Sequence, residues 1–363
     1  MNKNIKLLSL FSGIGAFEKA LHNIGINYEL VNYCEIDKFA SKSYSLIHNV
    51  DESKNLIDVT KVDTSKLPKD IDMITYGFPC QDISSAGKQR GFFDSDGKIT
   101  RSGLFFEALR IINDTKPKVA ICENVKALTS KKFTDKLSII LEGLEEAGYN
   151  NYYQVLNACD YGIPQNRERI FIVSIRKDID NGKFSFPKPL ERKPTVDDFL
   201  EENCEYEYYY RSDKIIKSFM KKNGFGRFDV FMRCLNHSRD YAMTITTKDG
   251  VRSTSNFVKY VNGRMATDKT FYPVNGYENT DCDGRKTLNH LLTTNSDGTI
   301  TNDVVQIRRL TEKECFRLMG FDDEDCDILK DNGISSTQIY KQAGNSIVVN
   351  VLEALFNELF KVI

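Results

Sequence analysis

None of the nine cysteines, at positions 34, 80, 122, 159, 204, 234, 282, 315 and 326, stands at C-x-x-C spacing from another. That absence argues against a structural zinc site, and an odd number of scattered thiols argues against a disulfide framework. Most of them read as small buried hydrophobes. Long apolar runs are missing as well: no stretch approaches the roughly 18 apolar residues a membrane span needs. The first apolar run stops at Ser12-Gly13, too short for a secretory signal. A cytoplasmic protein without a membrane partner is expected. Charge of one sign is also lacking, since 50 Lys and Arg face 51 Asp and Glu, a formal net charge of −1. A chain coated all round in positive charge for nucleic acid is thereby excluded, and any DNA surface must be local. Residues 205–264 offer one in outline, with twelve Lys and Arg against six Asp and Glu, whereas 322–331 runs acidic. No internal repeat, zipper or low-complexity tract is present, so a monomer is expected.

What is there begins with size. The 363 residues, 40% hydrophobic and 28% charged, exceed one hydrophobic core and predict a large domain with a smaller partner. In the first half, β-rich apolar runs at Lys6–Leu10, Glu29–Cys34, Asp72–Tyr76, Lys118–Cys122, Tyr153–Asn157 and Ile170–Ile175 alternate with helical spacing. The helical stretches are Ala16–Ile24, Asp37–Ile47, Gly103–Asn113 and Phe133–Ala147. Such alternation is the mark of an α/β fold, a doubly wound, mostly parallel sheet. Three prolines within 183–195 break regular structure and mark a boundary. Beyond it, 200–305 is rich in Tyr, Asn, Thr and Gly, which predicts short strands and long loops. Ser346–Phe360 carries the apolar stripe of a helix returning to the first domain. The expected division is 1–185 plus 335–363 for the large domain and 186–334 for a smaller, loop-rich, mainly β one.

Phe11-Ser12-Gly13-Ile14-Gly15 follows the first strand and opens a helix, so its glycines let the backbone turn tightly against a ligand. Glu35 ends the next strand about twenty residues on, where a carboxylate can accept from both hydroxyls of a ribose. The third glycine of the dinucleotide fingerprint is absent, with Phe17 and Glu18 in its region, so an adenosine ligand without pyrophosphate fits better than NAD. S-adenosylmethionine is the common ligand of that kind. A plain turn before a helix is the alternative on these residues alone. Phe78-Pro79-Cys80-Gln81 ends another strand, where α/β folds place ligands. By position alone an inert thiol is the better reading of Cys80, because a nucleophile needs its pKa of about 8.5 lowered by a helix N-terminus or a cation. Glu123 in Glu123-Asn124-Val125 and the pair Arg167 and Arg169 in Gln-x-Arg-x-Arg also border strands. Singly, each reads as a surface ion-pairing residue.

In this order the motifs resemble the DNA (cytosine-5) methyltransferase family, of the bacterial or phage restriction-modification type. The match runs from Phe-x-Gly-x-Gly through Glu35, Asp58, Pro-Cys-Gln, Glu123-Asn124-Val125 and Gln-x-Arg-x-Arg. It continues through Arg309-Leu310-Thr311, Leu318-Met319-Gly320-Phe321 and Gln342-x-Gly-Asn-Ser. The resemblance implies an S-adenosylmethionine site at Phe11, Gly13, Gly15, Glu35, Ile36, Asp58, Phe78 and Asn345, with Asp58 accepting from the adenine amino group. Many relatives carry an aromatic residue where Ile36 stands, so stacking becomes apolar packing there. It also implies covalent attack by Cys80 on a flipped cytosine, with Glu123 at N3, Arg169 at O2 and Arg167 orienting the thiolate and its loop, the two arginine roles being interchangeable.

For duplex DNA the resemblance implies Thr244 at the backbone of the flipped nucleotide. Gln81, Ser84 and Lys88 of the loop after Cys80 are candidates to fill the emptied stack. Arg227, Arg233, Arg239, Arg252 and Lys248 are candidates for phosphate or guanine, although a solvated surface charge is the better reading of any one of them. Protection from a partner restriction endonuclease is the role it suggests. A transfer-RNA methyltransferase is the nearest alternative, although the Cys-Phe-Thr tripeptide of that branch is absent. A catalytically silent DNA-binding subunit of the same fold is another, and a NAD-dependent oxidoreductase fails on the missing glycine.

Overall fold

The structure, a computed structural model, describes residues 4–79, 92, 100, 102–191, 194–201, 204, 208, 241–247, 256–261, 264–265, 276–280, 286–294 and 300–363. Between 257 and 307 it describes the backbone alone, apart from Val258.

Alternation along each strand builds the central sheet, because successive side chains leave a strand on opposite faces. In β1 (Ile5–Leu10), Leu7 joins one core and Leu8 and Leu10 the other; β3 (Met73–Tyr76) divides Met73 from Ile74 and Tyr76. Likewise β4 (Val119–Val125) divides Val119 and Ile121 from Ala120 and Cys122, and β7 (Glu168–Arg176) divides Phe171, Val173 and Ile175 from Ile170 and Ile172. Both faces are buried, so these strands read as continuous apolar runs. One core takes α1 (Ala16–Asn23) and α8 (Val349–Leu359), whose rings Phe17 and Phe356 meet at 6.3 Å. The opposite core takes α3 (Phe105–Thr115) and α4 (Thr134–Glu146).

With β2 (Tyr28–Cys34) and β5 (Tyr149–Asn157), the strand order is β2-β1-β3-β4-β7-β5. The first four are parallel, and β7 runs antiparallel to both β4 and β5. The expected doubly wound, mostly parallel sheet is what forms. Leu10 stands opposite both Cys34 and Tyr76, and Tyr76 opposite Cys122. The residues that follow, Phe11, Glu35, Gly77 and Glu123, therefore line up along one edge of the sheet. The chain leaves β1 for β2 through α1 and returns to β3 on the other side of β1, and that reversal opens the crevice in which such sheets bind ligands. α2 (Lys38–His48) follows β2, its N-terminus capped by Asp37.

Two strand limits differ from expectation. β4 continues to Val125 because its antiparallel pairing with β7 runs on, Glu123 opposite Phe171 and Val125 opposite Arg169. β5 begins at Tyr149, since the pairing extends to Arg176.

After α5 (Glu312–Arg317) and α6 (Asp323–Asp331) come α7 (Ser336–Asn345) and α8. Leu310, Phe316, Leu318, Met319, Cys326 and Leu329 lie in the core shared with α1 and α8. The acidic run that begins α6 is not merely solvated. Asp322 and Asp325 form its capping box and hold Lys19 of α1 at 2.6 and 2.7 Å.

The smaller part contains an antiparallel sheet of order β10-β9-β13-β12-β11. Its strands are β9 (Phe257–Val261), β10 (Arg264–Met265), β11 (Gly276–Thr280), β12 (Lys286–Thr294) and β13 (Ile300–Arg309). Where β13 leaves it, the fully buried Arg308 forms a bidentate pair with Glu314 at 2.7 and 2.8 Å, and Glu314 also accepts from the Glu201 N–H at 2.8 Å. The outgoing and returning connections are thus tied to α5. Among the described residues, no helix is long and apolar enough to cross a membrane.

Candidate active site

A cavity of about 490 Å³ lies over the carboxyl ends of β1 to β4. Its first half is built from the turn after β1. Gly13 and Gly15 have φ of 56° and 81°, the left-handed region that glycine enters without steric cost. At Gly15 a Cβ would also overlap the imidazole of His48, which donates from Nε2 to the Ile14 carbonyl at 2.9 Å. The Gly13 N–H so directed donates to Glu35 Oε2 at 2.9 Å, and the Asp37 N–H donates to Oε1 at 2.8 Å. Burial pushes the Glu35 carboxyl above its usual pKa while these N–H bonds oppose the rise. Of roughly four acceptor positions on a carboxylate, two are left for a ligand.

Asp58 caps the short turn Val59–Lys61, its Oδ1 accepting from the Thr60 hydroxyl at 2.8 Å and N–H at 3.0 Å. Those bonds hold its carboxyl below the usual range. Ile36 and Ile57 are 73% and 59% exposed and both line the cavity, an apolar pair beside the two acids. Phe11 lines it as well. Phe78 is 2% exposed and packs on Phe105 and Phe92 at 5.7 and 6.4 Å, so a ligand meets little of its ring.

Glu123 and Arg169 border the second half. The antiparallel register of β4 and β7 brings Arg169 Nε to 3.0 Å from Glu123 Oε1, with the side chains 20% and 13% exposed respectively. Burial pushes the Glu123 carboxyl up in pKa, and the nearby Arg169 and Arg167 pull it down without cancelling the rise. The Glu123 Oε2 lies 3.5 Å from where a Cβ on Gly77 would stand. A buried acid of raised pKa beside a guanidinium can present a proton and a cationic donor to one polar ring edge.

Arg167 is placed differently. It is 4% exposed and donates from Nη1 to the Ile245 carbonyl at 2.9 Å, and from Nη2 to those of Gly344 and Ser346 at 3.1 and 2.6 Å. It staples the segment around β8 (Ala242–Met243) to the end of α7. β6 (Gln165–Asn166) pairs in parallel with β8, and Gln165 accepts from the Ile245 N–H at 2.9 Å while donating to the Leu318 carbonyl at 2.6 Å. Thr244 donates its hydroxyl to the Asn166 carbonyl at 2.6 Å. Gly344 is obligatory here, because a Cβ on it would overlap the Thr246-Thr247 peptide. Asn345 ends α7, exposed at the cavity.

Cys80, Gln81, Ser84, Lys88, Arg227, Arg233, Arg239, Arg252 and Lys248 lie outside the described residues. The structure does describe what leads to Cys80. Asn124 donates to the Phe78 carbonyl at 3.1 Å and Ser102 to the Pro79 carbonyl at 2.9 Å, so the strand end before it is pinned from both sides. Sequence reasoning gave neither residue a role. It also passed over Lys341, whose ammonium pairs with Asp37 at 2.5 Å across the rim, and read Gln342 only as the first residue of a motif. The Gln342 amide is buried at the cavity without a partner for either polar atom among the described residues. Lys341 flanks that motif, and only its neighbour in three dimensions reveals it.

A doubly wound sheet whose switch point holds a cleft edged by Glu35 and Asp58, continuous with a carboxyl-guanidinium pair, is the arrangement of an α/β enzyme that binds its ligands at the strand ends. A family model described as C-5 cytosine-specific DNA methylase matches residues 5–361. The chain belongs to this family and is a DNA (cytosine-5) methyltransferase. It is 33% identical to the orphan methyltransferase M.SPRI of Bacillus phage SPR over 98% of this chain and 97% of that one. It is 34% identical to the type II methyltransferase M2.ScrFI of Lactococcus lactis subsp. cremoris (99% and 85% covered) and 33% identical to M.HhaI of Haemophilus parahaemolyticus (96% and 92%). Solved structures share the fold at lower identity. The Entamoeba histolytica methyltransferase EhMeth superposes with a TM-score of 0.69 at 19% identity, covering 99% and 98% of the chains. The S. pombe Dnmt2 methyltransferase gives 0.66 at 20%, covering 99% of each.

Proposed function

We propose that the protein transfers the methyl group of S-adenosylmethionine to carbon 5 of a cytosine rotated out of a specific double-stranded DNA sequence, through a covalent adduct with Cys80. The observation that carries this reading is the continuity of the cavity, which runs from Glu35 and Asp58 to Glu123 and Arg169 without a wall between them. A nucleoside fits the first half: free acceptor positions on Glu35 suit paired ribose hydroxyls, Asp58 suits an amino group, and the exposed Ile36 and Phe11 suit the faces of a purine. Asn345 closes that site from α7. When bound, S-adenosylmethionine supplies the methyl as an electrophilic sulfonium substituent.

The chain's residues do the rest. Carbon 5 of cytosine is a poor nucleophile in the intact ring. Cys80 as thiolate adds to carbon 6 and passes electron density to carbon 5. Glu123, whose proton affinity burial raises, donates a proton to N3 as the adduct forms. Arg169, paired with Glu123, donates to O2. Arg167 acts at one remove by fixing the cavity's far side. Carbon 5, once methylated, loses its proton to solvent, N3 returns its proton to Glu123, and the restored double bond expels the thiolate.

Rotating the base out costs a few kcal/mol, so its place in the stack must be filled. Gln81, Ser84 and Lys88, directly after the nucleophile, are assigned to that gap. Thr244 borders the flipped nucleotide, and Arg227, Arg239 and Lys248 contact phosphate or guanine, since Arg binds guanine bidentately. The protein acts as a cytoplasmic monomer. Type II relatives support protection of DNA from a cognate restriction endonuclease. The test is DNA carrying 5-fluorocytosine at the target, where fluorine cannot leave as a proton does. A denaturation-resistant complex mapping to Cys80 is expected, and turnover on ordinary DNA without that complex would contradict the addition step.

A further inference from the structure

Four described residues other than glycine have positive φ: Phe11, Asn49, Ile57 and Lys116. Asn49 and Lys116 close α2 and α3 as left-handed C-caps, a common way to end a helix. Phe11 and Ile57 are left, and both line the cavity. Ile57 is the more costly of the two, because a β-branched residue at φ 62° crowds its own carbonyl. It sits at the centre of a three-residue turn, with the Asp58 N–H donating to the Leu56 carbonyl at 2.8 Å. Nothing in the core rewards this conformation, since the side chain is 59% exposed.

Asn55 supplies the constraint. Its Oδ1 accepts from the N–H groups of Glu35 at 2.9 Å and Ile57 at 2.8 Å, and its Nδ2 donates to the Glu35 carbonyl at 2.9 Å and the Ser41 hydroxyl at 2.8 Å. Every donor and acceptor of the amide is used. One side chain thus fixes both the strand end that carries the ribose-binding acid and the turn that presents Ile57 and Asp58.

We propose that Ile57 is a binding residue for the purine ring of the cofactor, held in a strained turn so that its side chain faces Ile36 across the cleft, and that Asn55 is the positioning residue that enforces it. The inference rests on the reading of this half as the S-adenosylmethionine site. Strain kept at a binding site is relieved by a residue that tolerates the left-handed region, at the expense of the contact it presented. Asparagine is such a residue.

The experiment combines thermal unfolding of ligand-free protein with calorimetric binding of S-adenosylhomocysteine. Ile57→Asn is expected to raise the melting temperature while weakening binding about tenfold, the scale of one lost apolar contact face. Asn55→Ala is expected to lower both, and adding Ile57→Asn to it should restore much of the melting temperature without restoring affinity. A purely structural role for Asn55 predicts no such rescue. Wild-type protein that fails to bind S-adenosylhomocysteine overturns the cofactor reading. Wild-type binding matched by Ile57→Asn, or an absence of rescue in the double variant, overturns this inference alone.

Discussion

The two halves of the cavity hold their acids in opposite ways. Glu35 is fixed by backbone N–H groups of Gly13 and Asp37, donors that cannot ionise or turn away. Glu123 is fixed by the side chain of Arg169, on a strand that reaches β4 only through the folded sheet. Backbone donors make a rigid acceptor suited to a ligand that is recognised and left unchanged. A charged partner makes an acid whose proton affinity depends on what else enters the site, which suits a group that must give up a proton.

The strongest test of this contrast is to disable the reacting half alone. Cys80→Ala should bring methyl transfer to DNA below detection while S-adenosylhomocysteine still binds as it does to the wild type; substantial activity in that variant would remove the proposed nucleophile. Next in size, Glu35→Gln should weaken S-adenosylhomocysteine binding by about tenfold to a hundredfold, because a hydrogen bond to a charged group contributes about 1.5–3 kcal/mol. Unchanged affinity would mean that the backbone-held acid does not touch the ligand.

The smallest effect concerns pH. The folded Glu123 pKa lies above 4.5, so the folded chain binds this proton more tightly than the unfolded one. Its stabilising contribution is full below that value and is lost as pH rises through the folded pKa. The melting temperature of Glu123→Gln relative to wild type should therefore rise as the pH is raised above that value, and a difference independent of pH would remove Glu123 as the proton holder.

The same contrast explains what could be read in advance. Leu7, Leu8 and Leu10, or Val119 through Cys122, announce their strands because burial on both faces leaves an apolar run. Glu35 was legible for the same reason, as the first acid after such a run. The extension of β4 through Glu123 was not, because it depends on antiparallel pairing with a distant strand. Tyr149–Tyr152 of β5 was missed because Asn150 and Asn151 interrupt the pattern at a sheet edge. The packing of the acidic run that begins α6 was hidden because its partner, Lys19, is remote in sequence. Ile57 gave no turn signal, since nothing in a β-branched residue suggests a left-handed backbone, and Asn55 looked like any loop asparagine.

The seam at Arg167 has a consequence for how such an enzyme can diversify. It is written largely in main-chain groups: the carbonyls of Ile245, Gly344 and Ser346, the N–H of Ile245, and the bare α-carbon of Gly344 against the Thr246-Thr247 peptide. Such a joint takes little notice of the side chains that flank it. On the proposed function, the smaller part can change its side chains toward new DNA sequences while this main-chain joint keeps the cavity aligned.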